Sequence, residues 1–160
     1  MNFNQLQIKK EIKNALKELS FINLTPIQEK VIPLLLNSSQ DVIALAQTGT
    51  GKTAAFGIPI IEKIILSKKK IQAIVLSPTR ELCLQITNDL KSYSKYIAKL
   101  KITAVYGGAN INTQIKSLDS GTNVVVGTPG RVLDLIKRKK LFLSNLEFLV
   151  LDEADEMLNM

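Results

Sequence analysis

Five short apolar runs constrain the fold of this 160-residue chain more than any other feature of its sequence. The runs are continuous rather than alternating, as strands covered on both faces must be, and a stretch with helical spacing separates most of them. They cover Val42 to Ala46, Ala73 to Leu76, Ile102 to Tyr106, Val124 to Val126 and Phe148 to Leu151. This alternation is typical of repeated βαβ units, and it predicts an α/β fold in which helices flank a parallel sheet.

The helices expected between these strands are Thr53 to Leu66, Arg80 to Tyr93, Ile111 to Leu118 and Arg131 to Arg138. Two further helices precede the first strand. Apolar residues recur at helical spacing from Leu6 to Leu19, and Thr25 with Pro26 then predicts the start of a second helix that runs up to the loop Asn37-Ser38-Ser39. Ligands of parallel sheets bind beyond the carboxyl ends of the strands, so the residues that follow each apolar run are the candidates for function.

Composition excludes several classes of protein. Apolar residues make up 46% of the chain and charged residues 22%, and no apolar run approaches the roughly 20 residues of a membrane span. The first residues do not resemble a secretory signal, and the single cysteine, Cys83, excludes an internal disulfide, so we expect a cytoplasmic protein with no membrane partner. The chain has no histidine, which excludes histidine-based acid–base chemistry. A net charge of +7 favours a polyanionic partner, although lysine tracts also occur as solvated surface.

A glycine-rich segment follows the first apolar run and precedes a helix. It matches the pattern G-x-x-x-x-G-K-[ST] except at its first position, and it consists of Ala46, Gln47, Thr48, Gly49, Thr50, Gly51, Lys52 and Thr53. Glycines let backbone N–H groups turn inward around phosphate oxygens, and the helix N-terminus adds its positive dipole end. Lys52 is expected to contact the β and γ phosphates, and the Thr53 hydroxyl is expected to bind Mg²⁺. The segment therefore predicts a P-loop that binds a nucleotide.

Two carboxylates follow the last apolar run. In a P-loop fold this position places Asp152 beside the metal, where it holds Mg²⁺ directly or through water, and it leaves Glu153 to orient or deprotonate the attacking water. In isolation, Asp-Glu after a strand would favour a helix N-cap. The phosphate loop upstream makes the catalytic interpretation the stronger one.

The sequence Asp152-Glu153-Ala154-Asp155 resembles the motif of the DEAD-box RNA helicases, and other motifs of that family occur in the family's order from Phe3 onward. The segment from Ser20 to Gln28 is similar to the family's Q motif. That resemblance implies that Gln28 selects adenine, that Phe21 packs on the base, and that Phe3 is the upstream aromatic. Ser20 and Leu24 depart from the residues usual in the motif, and a core position for Phe21 remains an alternative.

Three more segments resemble the family's RNA-binding motifs. They are Pro78-Thr79-Arg80, Gly107-Gly108 with Gln114, and Thr128-Pro129-Gly130-Arg131. The resemblance implies that they line a path for single-stranded RNA. Hydroxyls, glycines and arginines suit that task, because they bind phosphate and sugar without distinguishing bases.

The resemblance implies an ATP-dependent RNA helicase of RecA-like P-loop fold that uses ATP and Mg²⁺, with Lys52, Asp152 and Glu153 as catalytic residues. Residues 1–160 would form its amino-terminal RecA-like domain, incomplete at the C-terminus, and residues 1–36 would carry the Q-motif region. A second RecA-like domain would be its partner, and without it we expect this chain to hydrolyse ATP very slowly. The alternatives are another P-loop ATPase motor and an RNA-binding module that does not use ATP.

Overall fold

The computed structural model describes all 160 residues. A 3-10 turn at Phe3–Gln5 comes first, and seven helices and four strands follow it. The helices are α1 (Lys10–Glu18), α2 (Pro26–Asn37), α3 (Lys52–Lys63), α4 (Arg80–Tyr93), α5 (Ile111–Asp119), α6 (Pro129–Lys137) and α7 (Ala154–Leu158). The strands are β1 (Ala73–Leu76), β2 (Ile102–Val105), β3 (Val124–Gly127) and β4 (Phe148–Leu151).

The chain divides into two compact units. Unit 1 consists of Met1–Ile64 with Asp89–Ala98, and unit 2 consists of Ile65–Asn88 with Lys99–Met160. The interpretation of residues 1–160 as one RecA-like domain stays a prediction.

Unit 1 is helical. Helix α2 packs against α3, and its core contains apolar side chains that are almost fully buried: Ile12, Leu16, Ile32, Ile58 and Ile61. A row of aromatic rings adds to this core. The ring centroids of Phe3 and Phe21 are 5.8 Å apart, and those of Phe21 and Tyr93 are 5.9 Å apart. Such tilted pairs stabilise packing beyond the apolar area that they bury.

Unit 2 contains a four-stranded sheet whose strands are all parallel, in the order β2-β3-β1-β4. Successive strand residues point to opposite faces. On one face Ile74 and Val125 join a buried cluster with Leu118 of α5 and Leu135 of α6. Val75 points to the other face and is also fully buried. Burial on both faces explains why the strands are continuous apolar runs in the sequence.

Parallel pairing brings the carboxyl ends of all four strands to one edge. The backbone N–H of Ser77 donates to Gly127 O over 3.0 Å, that of Thr128 to Val105 O over 3.1 Å, and that of Asp152 to Leu76 O over 2.9 Å. The residues that follow each strand are therefore held at the same edge of the sheet, and the α/β fold predicted from the sequence is confirmed.

One predicted strand is wrong. Val42 to Ala46 form no strand, and the side chains of Ile43 and Leu45 are 93% and 91% exposed. The run has the composition of a buried strand, but extended backbone is stable as a strand only where a neighbour supplies hydrogen bonds. No strand of the sheet pairs with this segment. Strand β4 lies at one edge of the sheet and pairs with β1 alone. Its residues Leu149 and Leu151 are more than half exposed.

Candidate nucleotide and nucleic-acid sites

The phosphate loop of unit 1 has the backbone that its glycines predict. Gly49 and Gly51 adopt φ values of +79° and +86°, a left-handed region in which residues with a Cβ are strained. The Thr50 hydroxyl donates to Gln47 O over 2.6 Å and closes the turn. Helix α3 then begins at Lys52, with Gly51 as its N-cap. The first N–H groups of a helix have no partner within it, so this arrangement presents donors and a positive dipole end to an anion.

Gln28 links this loop to the start of α2. Its Oε1 accepts from the Thr25 backbone N–H over 2.9 Å, and its Nε2 donates to Gly51 O over 3.1 Å. A Cβ on Gly51 would lie 2.3 Å from Gln28 Nε2, so only glycine fits beside this amide. Gln28 is only 3% exposed. Its amide can make four hydrogen bonds, and these two contacts leave one N–H and one lone pair for a ligand.

A cleft of about 390 Å³ adjoins this amide within unit 1. Its lining consists of Phe3, Ser20, Phe21, Ile22, Asn23, Thr25, Gln28, Gly49 and Gly51. The volume lies in the range of small-ligand pockets. Thr25 and Gln28 form a capping box at the start of α2, and the Thr25 hydroxyl is buried there beside the cleft. The structure thus brings together the residues of the Q-motif resemblance and two glycines of the phosphate loop.

Of the remaining loop residues, Ala46, Gln47 and Thr48 precede the glycines and adopt no strand or helix up to the turn, while Lys52 and Thr53 open α3 and are half-buried. They occupy positions that suit contacts to phosphate and metal. We find no cluster of three or more Asp, Glu, Cys or His side chains that could hold a metal by itself. In proteins Mg²⁺ is usually bound by one or two carboxylates together with phosphates of the nucleotide and waters.

The two carboxylates of unit 2 lie where β4 ends. Asp152 is fixed at the carboxyl edge of the sheet by its backbone bond to Leu76 O. Glu153 follows in the left-handed conformation, with φ 52° and ψ 51°, and is the N-cap of α7. That conformation costs a residue with a Cβ about 1–2 kcal/mol.

At the end of β1, Pro78 and Thr79 form the turn that leads into α4. The Thr79 Oγ1 accepts from the backbone N–H of Leu82 over 3.2 Å, as an N-cap does. The next residue, Arg80, is exposed and its guanidinium carbon lies 4.9 Å from the centroid of the Tyr106 ring. This contact joins the ends of β1 and β2.

Residues 106–110 form a loop after β2, and two side chains of unit 2 hold it. Gln114 is buried, and its Nε2 donates to Tyr106 O over 3.1 Å. Arg131 Nη1 donates to Gln114 Oε1 over 2.9 Å, and both Nη atoms donate to Ala109 O over 3.2 Å. Both side chains were expected to contact RNA. In the structure they also fix the position of the 106–110 loop.

The glycines at this edge fall into two groups. Gly108 has φ +79°, and Gly127 has no room for a Cβ, which would lie 2.4 Å from Val132 Cγ2. The fold requires glycine at both positions. By contrast, Gly107 and Gly130 have ordinary φ values, and a Cβ at either one would meet nothing within 4 Å. The open space above these two glycines suits the close approach of another molecule.

Cys83 lies in the interior of unit 2 and not at a site. Its Sγ contacts Val126 O at 3.3 Å, and burial raises the pKa of the thiol to about 11. A buried thiol with a raised pKa is chemically inert. Cys83 is therefore a small apolar residue of the core.

A sequence model of the DEAD/DEAH box helicase family matches residues 25–160. The chain belongs to this family. The resemblance found in its motifs is thereby confirmed, and so is the fold that it implied.

Named relatives of this DEAD-box chain share about half of its sequence. It is 52% identical over 160 residues to "DEAD-box ATP-dependent RNA helicase CshA" of Streptococcus pneumoniae and 50% identical over 160 residues to a "Probable ATP-dependent RNA helicase" of Methanocaldococcus jannaschii. The match takes in the whole of this chain but only 30% and 43% of those two proteins. The chain therefore spans less than half the length of these relatives.

A solved structure gives the same result for the fold. The crystal structure of a DEAD box protein from the hyperthermophile Methanococcus jannaschii superposes with a TM-score of 0.94 at 49% identity, over 100% of this chain and 43% of that one. A hypothetical ATP-dependent RNA helicase from Sulfolobus tokodaii superposes with a TM-score of 0.85 at 38% identity, over 96% of this chain and 44% of that one. No helix of the DEAD-box chain is long and apolar enough to cross a membrane.

Two residues at the candidate sites escaped the sequence analysis. Tyr106 was assigned to the end of a strand, whereas β2 ends at Val105 and Tyr106 carries the contact to Arg80. Tyr93 was assigned only to a helix, although it extends the ring row of Phe3 and Phe21. An aromatic residue directly before Gly-Gly could have signalled the first. Nothing in the sequence pairs Tyr93 with Phe21, which lies 72 positions earlier.

Proposed function

We propose that this chain is the ATP-binding part, and one of the RNA-binding parts, of a longer DEAD-box RNA helicase that couples ATP hydrolysis to local unwinding of RNA duplexes. The observation that carries the proposal is the cleft of unit 1, where Gln28 contacts both the start of α2 and Gly51 of the phosphate loop. Relatives that are more than twice as long as this chain support a further RecA-like domain as its partner. A cytoplasmic location follows, because ATP and RNA are found together there.

In this proposal the cleft binds the adenine base. The remaining N–H and lone pair of the Gln28 amide match the acceptor and donor on the edge of adenine, as glutamine does when it binds adenine in two places. Guanine presents a different pattern at the same edge. Phe21 packs on the base, Phe3 supports Phe21, and the buried Thr25 hydroxyl supplies a further polar group.

The phosphate loop binds the phosphates. Backbone N–H groups from residues 46–53 would surround the phosphate oxygens, Lys52 would place its charge at the β and γ phosphates, and the Thr53 hydroxyl would be a ligand for Mg²⁺. The metal supplies charge neutralisation at the reacting phosphate. Asp152 would hold the metal, partly through water, and Glu153 would orient or deprotonate the attacking water.

In the same proposal, the loops at the carboxyl edge of the sheet in unit 2 bind single-stranded RNA through its backbone. Pro78, Thr79 and Arg80 contribute from the end of β1, and Thr128, Pro129, Gly130 and Arg131 contribute from the end of β3. Gly107, Gly108 and Gln114 contribute from the end of β2. The supporting observation is that Gly107 and Gly130 leave space that the fold itself does not use.

The first experiment measures the affinity of the chain for a fluorescent adenine nucleotide with Mg²⁺, with GTP as a competitor. We expect ATP to compete far better than GTP, Lys52→Ala to abolish binding, and Gln28→Ala to reduce the preference for adenine. Lys10→Ala is the matched control, since it removes the same charge from an exposed position of unit 1. Equal competition by ATP and GTP, or full binding by Lys52→Ala, would contradict the proposal.

The same variants test the alternative of an RNA-binding module that does not use ATP. That module would bind RNA equally with and without ATP, and Lys52→Ala would leave its RNA affinity unchanged. Family membership argues against the other alternative, an unrelated P-loop motor.

A further inference from the structure

The two arginines at the carboxyl edge of unit 2 have different surroundings. Arg131 donates from both Nη atoms to Ala109 O, and its Nη1 also donates to Gln114 Oε1. Arg131 is therefore largely committed to the 106–110 loop. Arg80 is exposed, and its guanidinium makes a cation–π contact with the ring of Tyr106, with 4.9 Å between the guanidinium carbon and the ring centroid.

The geometry of Arg80 suits a ligand that approaches its edge. A guanidinium is planar, so its face can lie on an aromatic ring while the N–H groups at its edge stay open to phosphate oxygens. The Arg80 Nη1 also lies 3.9 Å from the point where a Cβ of Gly108 would be, so the guanidinium lies beside this glycine. A larger residue at Gly108 would lie beside the Arg80 guanidinium, which is the group proposed to bind phosphate.

The loop that carries Tyr106 is itself fixed. The carbonyl of Tyr106 accepts from the buried Gln114, and Ala109 accepts from Arg131. The ring of Tyr106 thus belongs to a loop held at both ends by side chains from α5 and α6. A ring on a fixed loop restricts the rotamers of the arginine that contacts it.

We propose that Tyr106 is a positioning residue, which holds Arg80 ready for an RNA phosphate while Gln114 and Arg131 hold the loop that carries Tyr106. The inference rests on the proposed RNA binding and assigns its residues separate tasks. An arginine that is already ordered loses less conformational freedom when it binds. An exposed cation–π contact changes an equilibrium about two- to fivefold, which sets the size of the expected effect.

The test measures the binding of a fluorescein-labelled single-stranded oligouridine to the 160-residue chain over a range of salt concentrations. Arg80→Gln should weaken binding and reduce the salt slope by about 0.7, the value for one phosphate contact on a single strand. Tyr106→Leu should weaken binding about two- to fivefold. Tyr106→Phe keeps the ring and should bind like the wild type.

The deciding measurement is the double variant. If Tyr106 acts through Arg80, Tyr106→Leu should have no further effect on a protein that already carries Arg80→Gln. Tyr96→Leu is the control, because Tyr96 is an exposed tyrosine of unit 1 that also contacts a cation, Lys95. It should leave RNA affinity unchanged.

A second measurement is independent of RNA. In NMR spectra, the side-chain protons of Arg80 should carry a ring-current shift that Tyr106→Leu removes and Tyr106→Phe keeps. Equal losses from Tyr106→Leu in the presence and absence of Arg80, or an Arg80 spectrum that Tyr106→Leu does not change, would overturn the inference. Failure of the wild type to bind RNA would overturn the proposed RNA binding and the inference with it, and it is recognised before any variant is made.

Discussion

Gly130→Ala should have opposite effects on two measurable quantities, the stability of the fold and the affinity for RNA. Gly130 is the second residue of α6, has an ordinary φ, and has no atom within 4 Å of the place where a Cβ would be. Replacement of glycine by alanine at such a site reduces the conformational entropy of the unfolded chain. We expect the free energy of unfolding to rise by about 0.4–1 kcal/mol.

The same methyl group would occupy the space that we assign to the RNA backbone. We expect Gly130→Ala to weaken RNA binding about tenfold, or about 1.4 kcal/mol. A variant that is more stable and binds less well cannot be explained by partial unfolding. The combination is therefore a stronger test of the proposed RNA path than a loss of binding alone.

Gly127→Ala is the matched comparison, three residues earlier in the chain. Its Cβ would lie 2.4 Å from Val132 Cγ2 and 2.8 Å from Val105 Cγ2, and overpacking of this kind costs about 1–3 kcal/mol. Urea unfolding of both variants can be followed by far-ultraviolet circular dichroism, since the chain has no tryptophan. A fall in stability for Gly130→Ala would refute the structural reasoning, and unchanged RNA affinity would refute the assignment of that space to RNA.

Three further predictions concern other parts of the chain. Gln28→Glu puts a carboxylate oxygen beside Gly51 O in place of a donor, and it should lower the free energy of unfolding by about 1–3 kcal/mol in urea titrations. Gln40→Glu, at an exposed site, should change that free energy little. Equal effects of the two substitutions would contradict the buried contact of Gln28. The pKa of the Cys83 thiol is raised from 9.0 to about 11, so the folded chain keeps a proton that the unfolded chain loses. The free energy of unfolding should therefore fall between pH 9 and pH 11, and it should fall more steeply in the wild type than in Cys83→Ala. Parallel curves of unfolding free energy against pH would count against burial of the thiol. Leu149 is 59% exposed on β4, which pairs on one side only. Leu149→Lys should therefore reduce self-association, which light scattering at high protein concentration measures. An unchanged particle size would exclude this face as the cause of self-association.

Much of the fold followed from the sequence because the buried strands leave a continuous apolar pattern. Ala73–Leu76 and Phe148–Leu151 were predicted with the bounds that the structure shows. Val42 to Ala46 has the same pattern and is not a strand. Composition indicates that a segment suits a sheet, but pairing depends on whether a neighbouring strand is present, and that information lies elsewhere in the chain.

The motifs identified the candidate site residues, but not their contacts. Gln28 and Gly51 were each assigned to the nucleotide from separate motifs, and the hydrogen bond between them spans 23 positions of the sequence. Arg131 was assigned to RNA by its motif, and only the structure shows how it holds Ala109. Contacts of this kind arise from tertiary packing, so spacing along the chain does not predict them.

The order in which the chain is made bears on the sheet of unit 2. Its inner strand β1 ends at Leu76, but β3 begins only at Val124 and β4 ends at Leu151. A ribosome adds roughly 5–20 residues per second, so the 75 residues from Leu76 to Leu151 take about 4 to 15 s to synthesise. During that interval the apolar segment of β1 has no complete set of partners, and it is open to contact with other chains.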